Sequence, residues 1–468
     1  MIRTRGVVWS GVEALVSGAF SLVSVFLVAR LVGPAEMGVG AAAASVHVLL
    51  WVGVSALFAD AMVQRAALSD FDASSALWAS TFVGVAAALV QFGAGWPLHA
   101  VLGDPRLGAM ALLLALPLPL VGAAGAVQGR LTRARDYRLL AFRAIAGQGA
   151  GTLVGISVAL SGGGAWAVVG QQATTSAAGA VALLLGARWR PRFVWHWQPI
   201  RELLRLGLPL TASTLVLHGR YRVFALLIGA TAGPTALGEV HMAFRLVDTI
   251  RELASTAMWR LMLPAMAEHQ HDPPALLRTI DRDLRLIGLT LFPLCAAMLV
   301  SVAPLTRLLL GPVWAQSGVA ALPLVGLAAW LFLLFPASVA TVARGAPQYG
   351  LRANLASSTA MVLGVLLINP AGPVDAVWIW VGAQTLIAPY VLATAAHALH
   401  APILRPLRAG MPALAAAAFA AAVALLLPHL AGIAAAPATI AVRGAVALAV
   451  LGGCYALRRA PPGSPARP

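Results

Sequence analysis

His241, Arg245, Asp248, Glu252, Ser255 and Trp259 recur at i, i+4, i+7, i+11, i+14 and i+18. At about 100° per residue this spacing gathers them into an arc of roughly 80° on one helix face. Thr211, Thr214, His218, Tyr221 and Arg222 obey the same rule just upstream, and Ser10, Glu13, Ser17, Ser21 and Ser24 do so near the start of the chain. A guanidinium presents a fixed fork of donors that matches an anion's oxygens. A carboxylate removed from water gains proton affinity toward neutral pH. The chemistry on offer is therefore anion recognition by Arg222 and Arg245, with His218, His241 and Tyr221 beside them, and proton or cation exchange at Glu13, Asp248 and Glu252. The competing reading is a local ion pair, Arg245 with Asp248 or Glu252, that only packs helices. Arg220 points to the opposite side of its helix from Arg222, Arg251 lies roughly 80° off the stripe, and Arg443 suits an interface; none is assigned a role.

The elements that carry these groups are apolar. Sixty per cent of the 468 residues are hydrophobic, 10% are charged and the mean hydropathy is +0.86, a balance that leaves a soluble globule without enough polar surface. Stretches of about 20 apolar residues, each long enough to cross a ~30 Å hydrocarbon core as a helix, recur about fourteen times. They fall at 7–29, 38–59, 75–97, 107–128, 140–160, 164–186, 205–229, 238–262, 284–304, 318–343, 350–369, 374–397, 411–431 and 437–457. Lipid offers backbone groups no partner, and the runs are too long for barrel strands, so the predicted fold class is an all-α polytopic membrane protein of about fourteen helices. A charged side chain at mid-bilayer costs about 2.5 to 3.5 kcal/mol on insertion scales. Three polar stripes buried without partners would cost on the order of 10 kcal/mol, and a hydrated cavity accounts for them better.

The net charge of +16 comes from 32 basic residues, all arginine. With the N-terminus inside, seventeen arginines, from Arg3 and Arg5 to Arg458 and Arg459, fall in inside segments, against Arg30, Arg106 and Arg307 outside. This positive-inside bias predicts a multi-pass protein of the bacterial inner membrane with both termini cytoplasmic, and it makes the charge a matter of topology, not of nucleic-acid binding. The first span follows Arg3 and Arg5 as in a signal peptide, yet it is long and lacks an A-x-A cleavage site, so it reads as a retained helix. Cys295 and Cys454 lie far apart in apolar spans and read as packing residues. His269 and His271, with Glu268 and Asp272, sit in EHQHDPP, a solvated turn, so no metal site is expected there. Walker, HExxH and nucleophile-elbow sequences are absent, and no loop is long enough for a separate domain. The expectation is a protein that is not an enzyme and needs no cofactor.

Residues 33–38 read GPAEMG and residues 233–238 read GPTALG, an offset of 200 residues, each following the first span of a six-span block. Such a repeat predicts two lobes in one orientation, related by a pseudo-two-fold axis along the membrane normal, with substrate handled between them. The predicted organisation is an N-terminal six-helix lobe at 1–186, an interfacial linker at 187–204, a second six-helix lobe at 205–400, and two extra helices with a tail at 401–468. The linker's RWRPRFVWHWQP interleaves Trp189, Trp195 and Trp197 with Arg188, Arg190 and Arg192, which suits the headgroup layer.

The segments ARLVGPAEMG, MVQRAALSD, GGGAWAVVGQQ, ALLIGATAGPTALGEVHMAFRL, MLPAMA and LLLGPVWAQSG resemble the Wzx-type oligosaccharide and polysaccharide flippases of the multidrug/oligosaccharidyl-lipid/polysaccharide exporter superfamily, through about the first twelve spans. The resemblance implies that helices 1, 2, 7 and 8 line a central cavity and that rocking exposes a polyprenyl-diphosphate-linked oligosaccharide first to one side, then to the other. It makes that lipid the expected partner, its diphosphate the anion for Arg222 and Arg245, and membrane lipids, a polysaccharide polymerase and export machinery further partners. The product would be exopolysaccharide, capsule or O-antigen. Phe224 stands where many relatives carry an aspartate, which rules that position out as a coupling carboxylate. The alternatives are a cation-coupled multidrug exporter of the same superfamily, a membrane polysaccharide polymerase or ligase, and a non-transporting scaffold.

Overall fold

The structure is a computed structural model and describes residues 2–402, 404 and 407–430. Among these residues there is no strand. Eleven helical segments of the described residues are long and apolar enough to cross a membrane, as backbone groups without water require. α1 (Ile2–Val32), α2 (Pro34–Gln64), α3 (Asp70–Leu102), α4 (Leu107–Ala115), α5 (Leu118–Ala134), α6 (Tyr137–Leu160) and α7 (Ala165–Gly186) come first. Then follow α8 (Trp197–Ala267), α9 (Pro273–Leu310), α10 (Ala315–Ala343), α11 (Gln348–Ile368), α12 (Pro373–Leu386), α13 (Ala388–Leu399) and α14 (Met411–Leu430). The pairs α4–α5 and α12–α13 are single spans, each interrupted where a proline, Pro117 or Pro389, withdraws an N–H from the helical ladder. The expected seventh and eighth spans are the two arms of α8. The fourteenth expected span, 437–457, lies outside the described residues, as do Cys454, Arg405, Arg443, Arg458 and Arg459.

Helix ends follow local sequence. Ser69 and Asp72 form a reciprocal capping box at the start of α3, and the Asp136 and Asp272 side chains accept from Leu139 N and Ala275 N to open α6 and α9. Gly33 before α2 adopts φ 80°, ψ 167°, and Gly233 inside α8 adopts φ 85°, ψ 172°. That region of backbone space favours a residue without Cβ, so the two glycines of the repeat do the same work in each copy. In α8 it separates two helical arms, as Gly33 separates α1 from α2.

The chain forms two compact units, one ending at His241 and one beginning at Met242. In the first, Phe58, Met62, Leu118, Leu183 and Leu203 are fully buried in one apolar cluster, and Leu107, Met110 and Leu114 in another. The repeat also makes a very close crossing in this unit. A Cβ on Gly38 would stand 1.7 Å from the Pro234 carbonyl oxygen, and one on Gly238 would stand 1.9 Å from the Pro34 carbonyl oxygen. Small residues let helix backbones approach this closely, which drives packing in a solvent as apolar as the side chains. Residues 187–196 run along α3 without helix: Trp78 Nε1 donates to Arg192 O at 3.0 Å, His196 N donates to Ser75 Oγ at 3.1 Å, and Phe193 and Trp195 meet Trp78 and Phe82 edge to face. In the second unit Phe292 and Trp314 are fully buried, and Phe244 meets Trp380 edge to face at 5.1 Å.

Candidate functional site

The first arm of α8 carries Thr211, Thr214, His218, Tyr221 and Arg222, and the Gly233 break turns the second arm so that His241 comes back to them. Tyr221 Oη and His241 Nδ1 are hydrogen bonded at 2.9 Å, and their rings lie 6.2 Å apart at 39°. The guanidinium of Arg222 lies 5.4 Å from the Tyr221 ring centroid. All three residues are half-buried, so Arg222 is held by an aromatic face while part of it stays accessible. His218 is exposed, with Nδ1 3.0 Å from Thr214 O one turn back. Phe224, two residues beyond Arg222, is fully buried.

In the second unit Arg245 and Glu252 are exposed, and Asp248 is half-exposed. Their neighbours Met242, Ala243, Phe244 and Val247 are buried, so the stripe is the open face of the helix. Arg251, assigned no role by its angular position, donates from Nε to Asp248 Oδ1 at 2.7 Å. A spacing of i, i+3 puts the two side chains one turn apart, and arginine's reach covers the remaining angle.

Glu13 is half-buried on α1, and its field acts on Arg143 of α6. Arg143 was not among the residues singled out by sequence. It lines a cavity of about 290 Å³ within the first unit, together with Ser17, Ser55, Gln128, Gln148, Gln172, Thr175 and Ser176. Arg143 Nη1 donates to Gln128 Oε1 at 2.9 Å, while its buried Nε has no hydrogen-bond partner. His47, fully buried, holds the lining residue Ser176, with Nε2 2.9 Å from Ser176 Oγ and Nδ1 2.8 Å from Leu114 O. The signal available in sequence was Arg143's place inside an apolar span, where a charge needs a partner or water.

A separate ionic cluster ties helix ends together and leaves no open cation. Arg106, before α4, donates to both oxygens of Glu36 at 2.9 and 2.8 Å and to Asp104 Oδ2 at 2.7 Å, and Ala165 N donates to Glu36 Oε2 at 2.7 Å. The Arg106 hydrogen bond holds the Asp104 carboxyl below its ordinary range, and the two carboxylates push the Arg106 guanidinium above its own.

Residues 27–318 match the family model described as polysaccharide biosynthesis protein. The succinoglycan biosynthesis transport protein ExoT of Rhizobium meliloti (strain 1021) is 24% identical over 327 residues, 70% of this chain and 65% of that protein. The amylovoran biosynthesis protein AmsL of Erwinia amylovora is 24% identical over 258 residues, 54% of this chain and 66% of that protein. The chain thus aligns with just under two thirds of each relative's length. Among solved structures, the lipid II flippase MurJ in an inward closed conformation superposes with a TM-score of 0.75 at 10% identity, covering 97% of this chain and 98% of that one. An inward-facing multidrug resistance MATE transporter gives 0.62 at 12% identity, covering 89% and 98%. These likenesses show a polytopic transporter fold. With more than half of its length matched by the family model, this chain belongs to the polysaccharide biosynthesis protein family.

Proposed function

We propose that the protein is a flippase that moves a polyprenyl-diphosphate-linked oligosaccharide across the bacterial inner membrane by alternating access, for assembly of a cell-surface polysaccharide. The observation that carries this reading is half-buried Arg222 stacked on Tyr221, itself hydrogen bonded to His241 across the helix break, in a chain of this family. An arginine held so in a low-dielectric surrounding attracts a diphosphate strongly, and its planar fork fits two phosphate oxygens at once. Arg245 supplies a second guanidinium, with His218 and His241 as further donors. The glycan occupies a wet cavity while the polyprenyl tail stays in lipid, and no bond is made or broken. Glu13, Asp248 and Glu252 couple the movement to protons or cations, Asp248 by exchanging Arg251 for the ion. Both termini lie in the cytoplasm on this reading, as the arginine distribution requires.

The experiment is exchange of a labelled polyprenyl-diphosphate oligosaccharide between leaflets of proteoliposomes, comparing wild type with Arg222→Ala/Arg245→Ala at equal reconstitution. Exchange by the wild type that the double variant lacks supports both activity and site. Exchange by both keeps the activity and discards the site. Absence of exchange by folded wild type overturns the reading in favour of drug export or another lipid.

A further inference from the structure

Where α5 meets α6, and α7 runs into residues 187–196, the first unit opens a cleft of about 640 Å³ that includes Trp9 of α1. It is lined by Arg130, Arg138 and Arg188 with Asp136, and by apolar side chains that include Leu139 and Phe142. Arg130 lies 4.9 Å from the Trp189 ring and Arg138 lies 5.9 Å from the Trp9 ring. Arg130 is also paired with Asp70, while Arg138 and Arg188 are exposed. None of the residues around the cleft belongs to the Tyr221, Arg222 and His241 cluster.

We propose that this cleft binds an anionic glycerophospholipid of the surrounding bilayer, its phosphate between Arg138 and Arg188 and one acyl chain on the apolar lining. Three guanidinium groups against Asp136 and the Asp70 partner of Arg130 leave an excess of positive charge. A guanidinium laid over a ring face keeps its in-plane N–H donors directed outward, where a phosphate takes two of them. Tryptophan beside arginine at the ends of spans is the composition of the headgroup layer, where anionic lipid is concentrated. The volume falls within the range of small-molecule sites, about 300–1,000 Å³. A lining that joins arginines to apolar side chains fits an amphiphile, and its apolar part would go unused by free phosphate. The site does not depend on the transport reading.

The test is native mass spectrometry of the purified full-length protein titrated separately with phosphatidylglycerol, phosphatidylcholine and polyprenyl diphosphate. Wild type should retain phosphatidylglycerol over phosphatidylcholine. Arg188→Ala should weaken that retention about fivefold, and Arg138→Ala/Arg188→Ala by about fivefold for each arginine. Arg190→Ala/Arg201→Ala, which removes the same charge outside the cleft, should leave it unchanged. Equal retention of the two phospholipids, an unaltered affinity in Arg188→Ala, or equal weakening by the control pair overturns the proposal. So does retention of polyprenyl diphosphate alone, which would make the cleft a loading site for that lipid. If the double variant does not fold, the single variant decides.

Discussion

Removing the Tyr221 hydroxyl separates what that ring does for His241 from what it does for Arg222. Tyr221→Phe deletes the hydrogen bond across the Gly233 break yet keeps the face on which the guanidinium lies. We expect a stability loss of about 1 kcal/mol, the net worth of one such bond, read by denaturant unfolding in detergent. Arg143 makes a stronger case. Arg143→Gln keeps a polar side chain but removes the charge from the cavity shared with Gln128 and Ser176. If that charge contacts the transported anion, flipping falls roughly tenfold or more, since bonds to charged groups are worth about 1.5–3 kcal/mol; an unaltered rate in a folded variant would confine Arg143 to packing. Helical periodicity was enough to find the α8 stripe, because residues on one helix have a fixed angular relation. It was blind to Arg143, whose partner Gln128 is on another helix and whose neighbourhood is rich in topological arginines. It left Arg251 without a role, because angular position ignores how far a long side chain reaches.

At the level of helices, the GPxxxG repeat was readable as two similar segments, each closing the first span of its block. That the copies touch was not readable, because a sequence offset carries no information about which segments meet. Gly238→Ala should destabilise by about 1–3 kcal/mol or more, since its new methyl would press on the Pro34 carbonyl and force two backbones apart. Gly53→Ala is the control: its nearest neighbour would be the end of the Leu215 side chain at 3.7 Å, and alanine's helix preference makes the change neutral or stabilising by up to ~1 kcal/mol. Thermal unfolding of the two variants side by side checks the contrast. The Arg106 cluster has its own signature. Because the Asp104 carboxyl is held below its ordinary range, its contribution to stability is fully present above the unfolded-state value of about 3.9. It is lost as pH falls through the lower folded value. Asp104→Asn should lower stability near neutrality and flatten the acid limb of the stability–pH curve, the two curves converging at low pH.

For the molecule as a whole, composition alone was nearly sufficient. A chain with 10% charged residues and recurring 20-residue apolar stretches has helices in a bilayer as its consistent solution. Quoted motifs then pointed to the family that the match over residues 27–318 places it in. The boundary expected between spans seven and eight falls where Gly233 leaves helical geometry and divides the two arms of α8. In cells, Arg222→Ala/Arg245→Ala should abolish surface polysaccharide while leaving sensitivity to cationic drugs unchanged; the reverse pattern would favour the drug-export alternative.

The crossing of the two glycine motifs has one more implication. Gly38 faces Pro234 as Gly238 faces Pro34, so the contact is self-complementary in the sense of an isologous interface, where residue i meets j and j meets i. That is the geometry by which two identical half-length chains would associate about a two-fold axis. In such a dimer a single glycine per chain would have served both sides of the joint, and any larger residue there would have clashed twice. Within one chain that coupling is absent. Each copy can now drift alone, but only in ways its counterpart tolerates, so paired change at positions 34 and 238, or at 38 and 234, is the trace such an origin would leave.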